Sequence, residues 1–197
     1  MPKILFVVIV FLLPVGWQLV AAQNTRKTVV RPETLSKEPV EIAIKHRGAL
    51  ITPNQEFDAD ANWVSNLVIK LTNNSDKTIT FIDLDLTFPE TRPFFAGRVA
   101  LHEIMLGLEP ESKEPRAALR LLQNESVEVA LSDQIDRLHA LMDNKQPRLE
   151  GVNQILIRLQ QVIFEDGILY SGGELYRRNT DPNDSHKWIK IGDYGRR

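Results

Sequence analysis

Residues 63–88 read WVSNLVIKLTNNSDKTITFIDLDLTF, and through most of that stretch oily and wet side chains alternate one by one. A period of two belongs to a β-strand, whose successive side chains point to opposite faces. Leu67, Ile69 and Leu71 alternate with Val68, Lys70 and Thr72. After the turn formers at 73–77, Ile82, Leu84, Leu86 and Phe88 alternate with Phe81, Asp83, Asp85 and Thr87. The stretch is expected to form a hairpin whose two strands each bury one face and build the inner wall of a β-sandwich.

The rhythm recurs along the chain. Val40, Ile42 and Ile44 share one side of a first strand, which Arg47-Gly48 ends before a short continuation over 49–52. Pro89 and Pro93 stop the strand before them, because proline cannot donate to a ladder, and Phe94-Phe95 are expected to close that end of the core. Residues 99–106 form a weaker strand and 117–122 a short one, and Val127, Val129 and Leu131 face inward from another. Residues 151–164 give the longest strand. Ile155, Ile157, Leu159 and Ile163 are expected on one side, with Leu156, Val162 and Phe164 on the other. Asp166-Gly167 signals a tight hairpin, since both residues tolerate positive φ. Residues 168–170 return beside it, and 174–178 and 188–191 supply the last strands.

One segment follows a different period. Ile135, Leu138, Leu141 and Met142 make a single stripe at helical spacing. Ser132 suits the N-cap and Asp133 the positive helix start. A helix over about 133–143 is expected across one end of the sandwich, ended by Asn144 and Pro147.

The chain ahead of this body reads as a leader. Lys3 precedes an uncharged run, Pro14 and Gly16 interrupt it, and Val20-Ala21-Ala22 places small residues where a signal peptidase cuts. Residues 1–22 are expected to be a signal peptide cleaved after Ala22, with the remainder secreted or periplasmic and free of a membrane span. The competing reading is an anchor over 4–22, nearly the roughly 20 residues a bilayer crossing takes. Residues 23–39 are polar, with two prolines and no apolar period, and are expected to be a flexible linker. Residues 40–197 then form the sandwich domain, with a C-terminal extension from about 171.

Among 197 residues there is no cysteine, which removes disulfides, thiolate nucleophiles and thiolate metal sites. A net charge of −2 lacks the basic face of a nucleic-acid binder. His46, His102, His139 and His186 form no H-x-x-x-H pair, and no nucleophile elbow or phosphate-cradling glycine loop is present. Residues 58–62 begin like a calcium loop, but Trp63 and Ile69 stand where glycine and glutamate belong. The oxygen-rich loop at 181–185 is equally what an ordinary turn uses. Asp83 and Asp85 share a strand face; two acids can work as a glycosidase pair, but alternation alone accounts for them. Asn73, Asn124 and Asn183 each head an N-x-S match in an expected turn.

Expected architecture is therefore mainly β: a sandwich of about seven to nine strands with one inserted helix. The run Trp63-Val64-Ser65-Asn66-Leu67-Val68-Ile69-Lys70-Leu71-Thr72-Asn73-Asn74-Ser75-Asp76-Lys77, the following Ile82-Asp83-Leu84-Asp85-Leu86 and the strand ending Phe164-Glu165-Asp166-Gly167 resemble the immunoglobulin-like or fibronectin-type modules of exported bacterial proteins. The resemblance covers about 40–170 and implies architecture only; the cysteine pair of antibody domains is missing. No catalytic residue, cofactor or metal ligand is assigned, and the chain is read as a non-enzyme. Tyr170, Tyr176, Arg177, Arg178 and Trp188 are expected to form an aromatic and basic binding surface near the C-terminus. The expected partner is another envelope or extracellular protein, or a polysaccharide. An accessory subunit of an envelope assembly and a carboxylate-dependent exported hydrolase are the alternatives.

Overall fold

The computed structural model describes residues 25–32, 37–94, 98–108, 117–143, 146–181 and 184–195. The leader, Phe95 and the cleavage-like motif lie outside them. The strands are β1 (Thr25–Val30), β2 (Val40–His46), β3 (Ala49–Ile51), β4 (Glu56–Ala59), β5 (Leu67–Asn73), β6 (Ile79–Phe88), β7 (Ala100–Gly107), β8 (Ser126–Ala130), β9 (Gln154–Phe164), β10 (Leu169–Ser171), β11 (Glu174–Arg178) and β12 (Trp188–Asp193). They form an eight-stranded and a four-stranded sheet, and the one α-helix among the described residues is α1 (Ile135–Met142). The fold is a β-sandwich with one helix, richer in strands than the seven to nine expected.

The smaller sheet runs β3-β2-β5-β8. In the larger, β9 is the hub: β6 pairs along one of its edges, and β1 and β10 share the other. From β6 the sheet continues to β7, from β1 to β4, and from β10 through β11 to β12. Ile44, Ile69 and Leu71 of the smaller sheet meet Ile82, Leu84, Leu86, Ile155 and Ile157 of the larger in one core, all fully buried or nearly so. The alternation read from residues 63–88 is thus the alternation between core and surface.

The two strands of that stretch do not form a hairpin. β5 pairs with β2 and β8, and β6 pairs with β7 and β9, so 74–78 is a corner that carries the chain from one sheet to the other. Asn73 makes the corner. Its side chain is completely buried, donates to the carbonyls of Lys77 and Leu121, and accepts from the backbone and hydroxyl of Ser75. The same burial denies Asn73 to a glycan.

Four further differences have identifiable causes. Residues 117–122 hold no strand; Leu121 makes one isolated bridge to Ile79. Ile163 lies on the face opposite Ile155, because Gln160 is an extra residue between the pairs Leu84–Leu159 and Asp83–Gln161, and a bulge reverses every side chain beyond it. Helix α1 starts two residues later than expected: Leu131–Gln134 forms a 3-10 turn, and Gln134 rather than Ser132 occupies the N-cap without a side-chain bond. Leu138 and Met142 still enter the core.

The fourth is the spacer expected over 23–39, which contains β1. That strand pairs antiparallel with β4 and parallel with β9, and Val29 is buried. Lys27, whose charge suggested solvent, is only 2% exposed. Its ammonium donates to the Val152 carbonyl at 3.0 Å and Asn153 Oδ1 at 2.8 Å, beneath the Trp63 ring. Trp63 Nε1 donates to the same Val152 oxygen at 2.8 Å. Next along, Arg31 caps the carbonyl of Ile157 and pairs with Glu38 at 2.6 Å, filling the stretch of β9 edge between β1 and β10.

Burial holds the Lys27 pKa below its usual 10.5, with Glu90 and Asp60 partly opposing the shift. Between the folded and unfolded values the unfolded chain binds the extra proton, so this residue's contribution to stability rises with pH. Urea titrations of wild type and Lys27→Met at steps from pH 7 to 10.5 are expected to show their difference moving in favour of wild type as pH climbs. A constant difference would mean that Lys27 is charged as freely as in water.

Candidate functional site

The larger sheet has an outer face, turned away from the smaller one, and alternation sends a defined set of side chains there. From β6 come Phe81, Asp83, Asp85 and Thr87; from β9 come Leu156, Arg158, Gln161 and Ile163; from β10, β11 and β12 come Leu169, Tyr176, Arg178, Lys190 and Trp188.

Of the surface expected from Tyr170, Tyr176, Arg177, Arg178 and Trp188, the structure brings Tyr176, Arg178 and Trp188 onto this one face. Tyr176 and Trp188 lean over a small apolar cluster of Phe81, Ile163 and Leu169. The Tyr176 hydroxyl donates to Glu174, which also receives Lys190, so the phenol's pKa is raised by the carboxylate beside it. Arg177 points to the opposite side of β11. Tyr170 is not part of the surface: it is 2% exposed, faces the core and meets Tyr194 edge-on. One residue decides this, since Tyr170 pairs with Val162, an inward position. Arg177 and Arg178 border an open depression of about 670 Å³ with Asn179, Thr180, Asp181 and Ile189.

A second concavity lies at the other end of the same face. It measures about 380 Å³, within the roughly 300–1,000 Å³ of small-ligand pockets. Asp85 and Thr87 of β6 and Leu156 and Arg158 of β9 form its floor, and Pro89, Arg92 and Val99 its rim. Arg92 belongs to the 3-10 segment Pro89–Phe94, which is pinned on both sides. Glu90 accepts the backbone N–H of Asn153 at 2.6 Å and of Gln154 at 3.2 Å. Thr91, fully buried, donates to the Phe88 carbonyl and accepts the Ala100 N–H at 2.7 Å. Arg158 stands directly across from Asp85. Asp85 Oδ2 receives the Gln160 side-chain amide from the bulge. Among the described residues neither Arg92 nor Arg158 has an ion-pair or hydrogen-bond partner. Guanidinium is a planar donor fork matched to oxyanions, so the concavity offers two cations on pinned backbone, one acceptor carboxylate and a partly aliphatic lining.

Sequence reasoning singled out Asp85 but missed both arginines. Arg92 follows a proline break and Arg158 sits inside a buried-looking strand; only the β6–β9 pairing joins them. Asp83 is not among the lining residues, so Asp83 and Asp85 do not face each other across this cleft. His46 and His102 are held below the usual histidine pKa mainly by burial. Asp184 of the 181–185 loop accepts from the His186 backbone at 2.9 Å. Among the described residues no three His, Asp or Glu side chains converge as a metal site, and no helix is long and apolar enough to cross a membrane.

No family model, curated protein or solved structure matches this chain.

Proposed function

We propose that this chain is a non-catalytic, exported β-sandwich module, immunoglobulin-like in pattern, that binds a protein or surface polymer in the cell envelope or outside the cell. The leader pattern at 1–22 supports export. The observation that carries the binding role is the concavity on the outer face, where Arg92 and Arg158 have no partner among the described residues and stand on backbone pinned by Glu90, Thr91 and the β6–β9 ladder. Unpaired cations carried on rigid backbone are a feature of a recognition site, since they meet a ligand without first giving up another partner. A two-carboxylate hydrolase needs facing acids about 5–10 Å apart, and Asp85 is the only acid among the described lining residues.

The test is retention of the purified chain on an envelope preparation from its own source cells. Saturable retention is expected, weakened at least about tenfold when Arg92→Gln and Arg158→Gln are combined. Retention no greater than that of an inert protein of equal charge would overturn the binding role.

A further inference from the structure

We propose that the Arg92–Arg158 concavity recognises an acidic sugar residue of a surface polymer, one monoanionic carboxylate flanked by hydroxyl groups; this rests on the binding role proposed above. The two guanidiniums are the only cations among its described lining residues and Asp85 the only anion, which leaves one excess positive charge. That charge fits a monoanion. A phosphate monoester, nearly dianionic at neutral pH, would meet the Asp85 carboxylate as well as the arginines.

Asp85 supplies the hydroxyl recognition. With Oδ2 taken by Gln160, Oδ1 has no partner among the described residues, and neither has the Thr87 hydroxyl. The two side chains stand two positions apart on one strand face, about 7 Å along β6, so that each can meet a different hydroxyl of one sugar residue. Carboxylate oxygens only accept, so an ionised Asp85 selects a ligand that donates. Leu156, Val99 and Pro89 offer C–H surface to the ring itself. The concavity is neither enclosed nor flat, so one residue of a longer polymer can enter it from solvent.

Calorimetry with trigalacturonate, trigalactose and inorganic phosphate tests the assignment on the full chain. Trigalacturonate is expected to bind at least about tenfold more tightly than trigalactose, and Arg92→Gln and Arg158→Gln each to lose at least about tenfold. Arg120→Gln, a charge-matched change beside Glu165 at the opposite end of β9, is expected to leave affinity unchanged. Asp85→Asn should weaken trigalacturonate while leaving phosphate equal or stronger. Equal binding of the neutral trimer would overturn the carboxylate, and full competition by phosphate would overturn the sugar. If trigalacturonate fails but the arginine variants still weaken envelope retention, the acidic sugar falls and the binding role stands. If retention is also absent, both fall.

Discussion

Gly107→Ala is expected to remove about 2–5 kcal/mol of stability and to lower Tm by roughly 10 °C in a chain of this length. Gly107 ends β7, opposite Phe81, with φ at +85°. A Cβ there would stand 2.1 Å from the Thr80 carbonyl oxygen and 2.8 Å from Leu119 Cβ. Thr80 is the extra residue between the pairs Ile79–Phe164 and Phe81–Ile163, so the backbone that would have to retreat is already committed to a bulge. Two costs add. A left-handed conformation costs an alanine roughly 1–2 kcal/mol, and overpacking costs about 1–3 kcal/mol more. Gly48 separates them: its φ is +82°, but nothing lies within 4 Å of its missing Cβ. Gly48→Ala is therefore expected to show the conformational cost alone. Thermal melts of both variants check this; a Gly107→Ala shift no larger than that of Gly48→Ala would mean that the contact with Thr80 relaxes freely.

The alternation in β5 and β6 was legible because β5, and β6 from Ile82 onward, bury one face only, and the period reports that directly. It does not report which strand pairs with which. A polar turn between two strands looks alike whether the chain doubles back or crosses to another sheet. Asn73 decides for the crossing through bonds to Lys77 and Leu121, and Leu121 lies 48 positions away. Strand β1 was hidden for a related reason. Its sequence, TRKTVV, is two-thirds charged or polar, and Lys27 is satisfied by Val152 and Asn153, partners far along the chain. Composition announces solvent where the fold provides a carbonyl.

A bulge sets one of the remaining limits. Gln160 reverses the facing of Ile163, and the same residue holds Asp85 toward the concavity. The tyrosine expected at the surface was lost to a parity of one, while Tyr176 and Trp188 kept theirs. The concavity was illegible because its parts come from β6, β9 and the 3-10 segment between β6 and β7. No local spacing relates Arg92 to Arg158; a shared sheet face does.

The corner at Asn73 carries the other large effect. Asn73→Ala is expected to cost about 3–5 kcal/mol, from several buried polar groups losing partners at about 1–3 kcal/mol each, with Tm falling about 10 °C or more. The amide nitrogen reaches Lys77 O at 2.8 Å and Leu121 O at 2.9 Å, and the amide oxygen takes the Ser75 N–H at 2.9 Å and the Ser75 hydroxyl at 2.7 Å. Alanine strips one bond from each of these groups: Leu121 O keeps the Ile79 N–H and Lys77 O keeps the Ser75 hydroxyl, while the Ser75 N–H is left facing an apolar gap. Ser75→Ala removes one hydroxyl, which donates to Asn73 Oδ1 and Lys77 O and accepts the Lys77 N–H at 3.3 Å, and is expected to cost about 1 kcal/mol. Because Asn73 and Ser75 share one network, the double variant should cost less than the sum of the singles, by about 0.5–3 kcal/mol. Urea titrations of the four proteins give the cycle. Strict additivity would mean that the corner is held by the backbone bonds of Asn73 to Glu125 and Asn124 rather than by its side chain. A coupled result places the choice between hairpin and sheet crossing in one buried amide, upstream of the strand that carries Asp85 and Thr87 to the concavity.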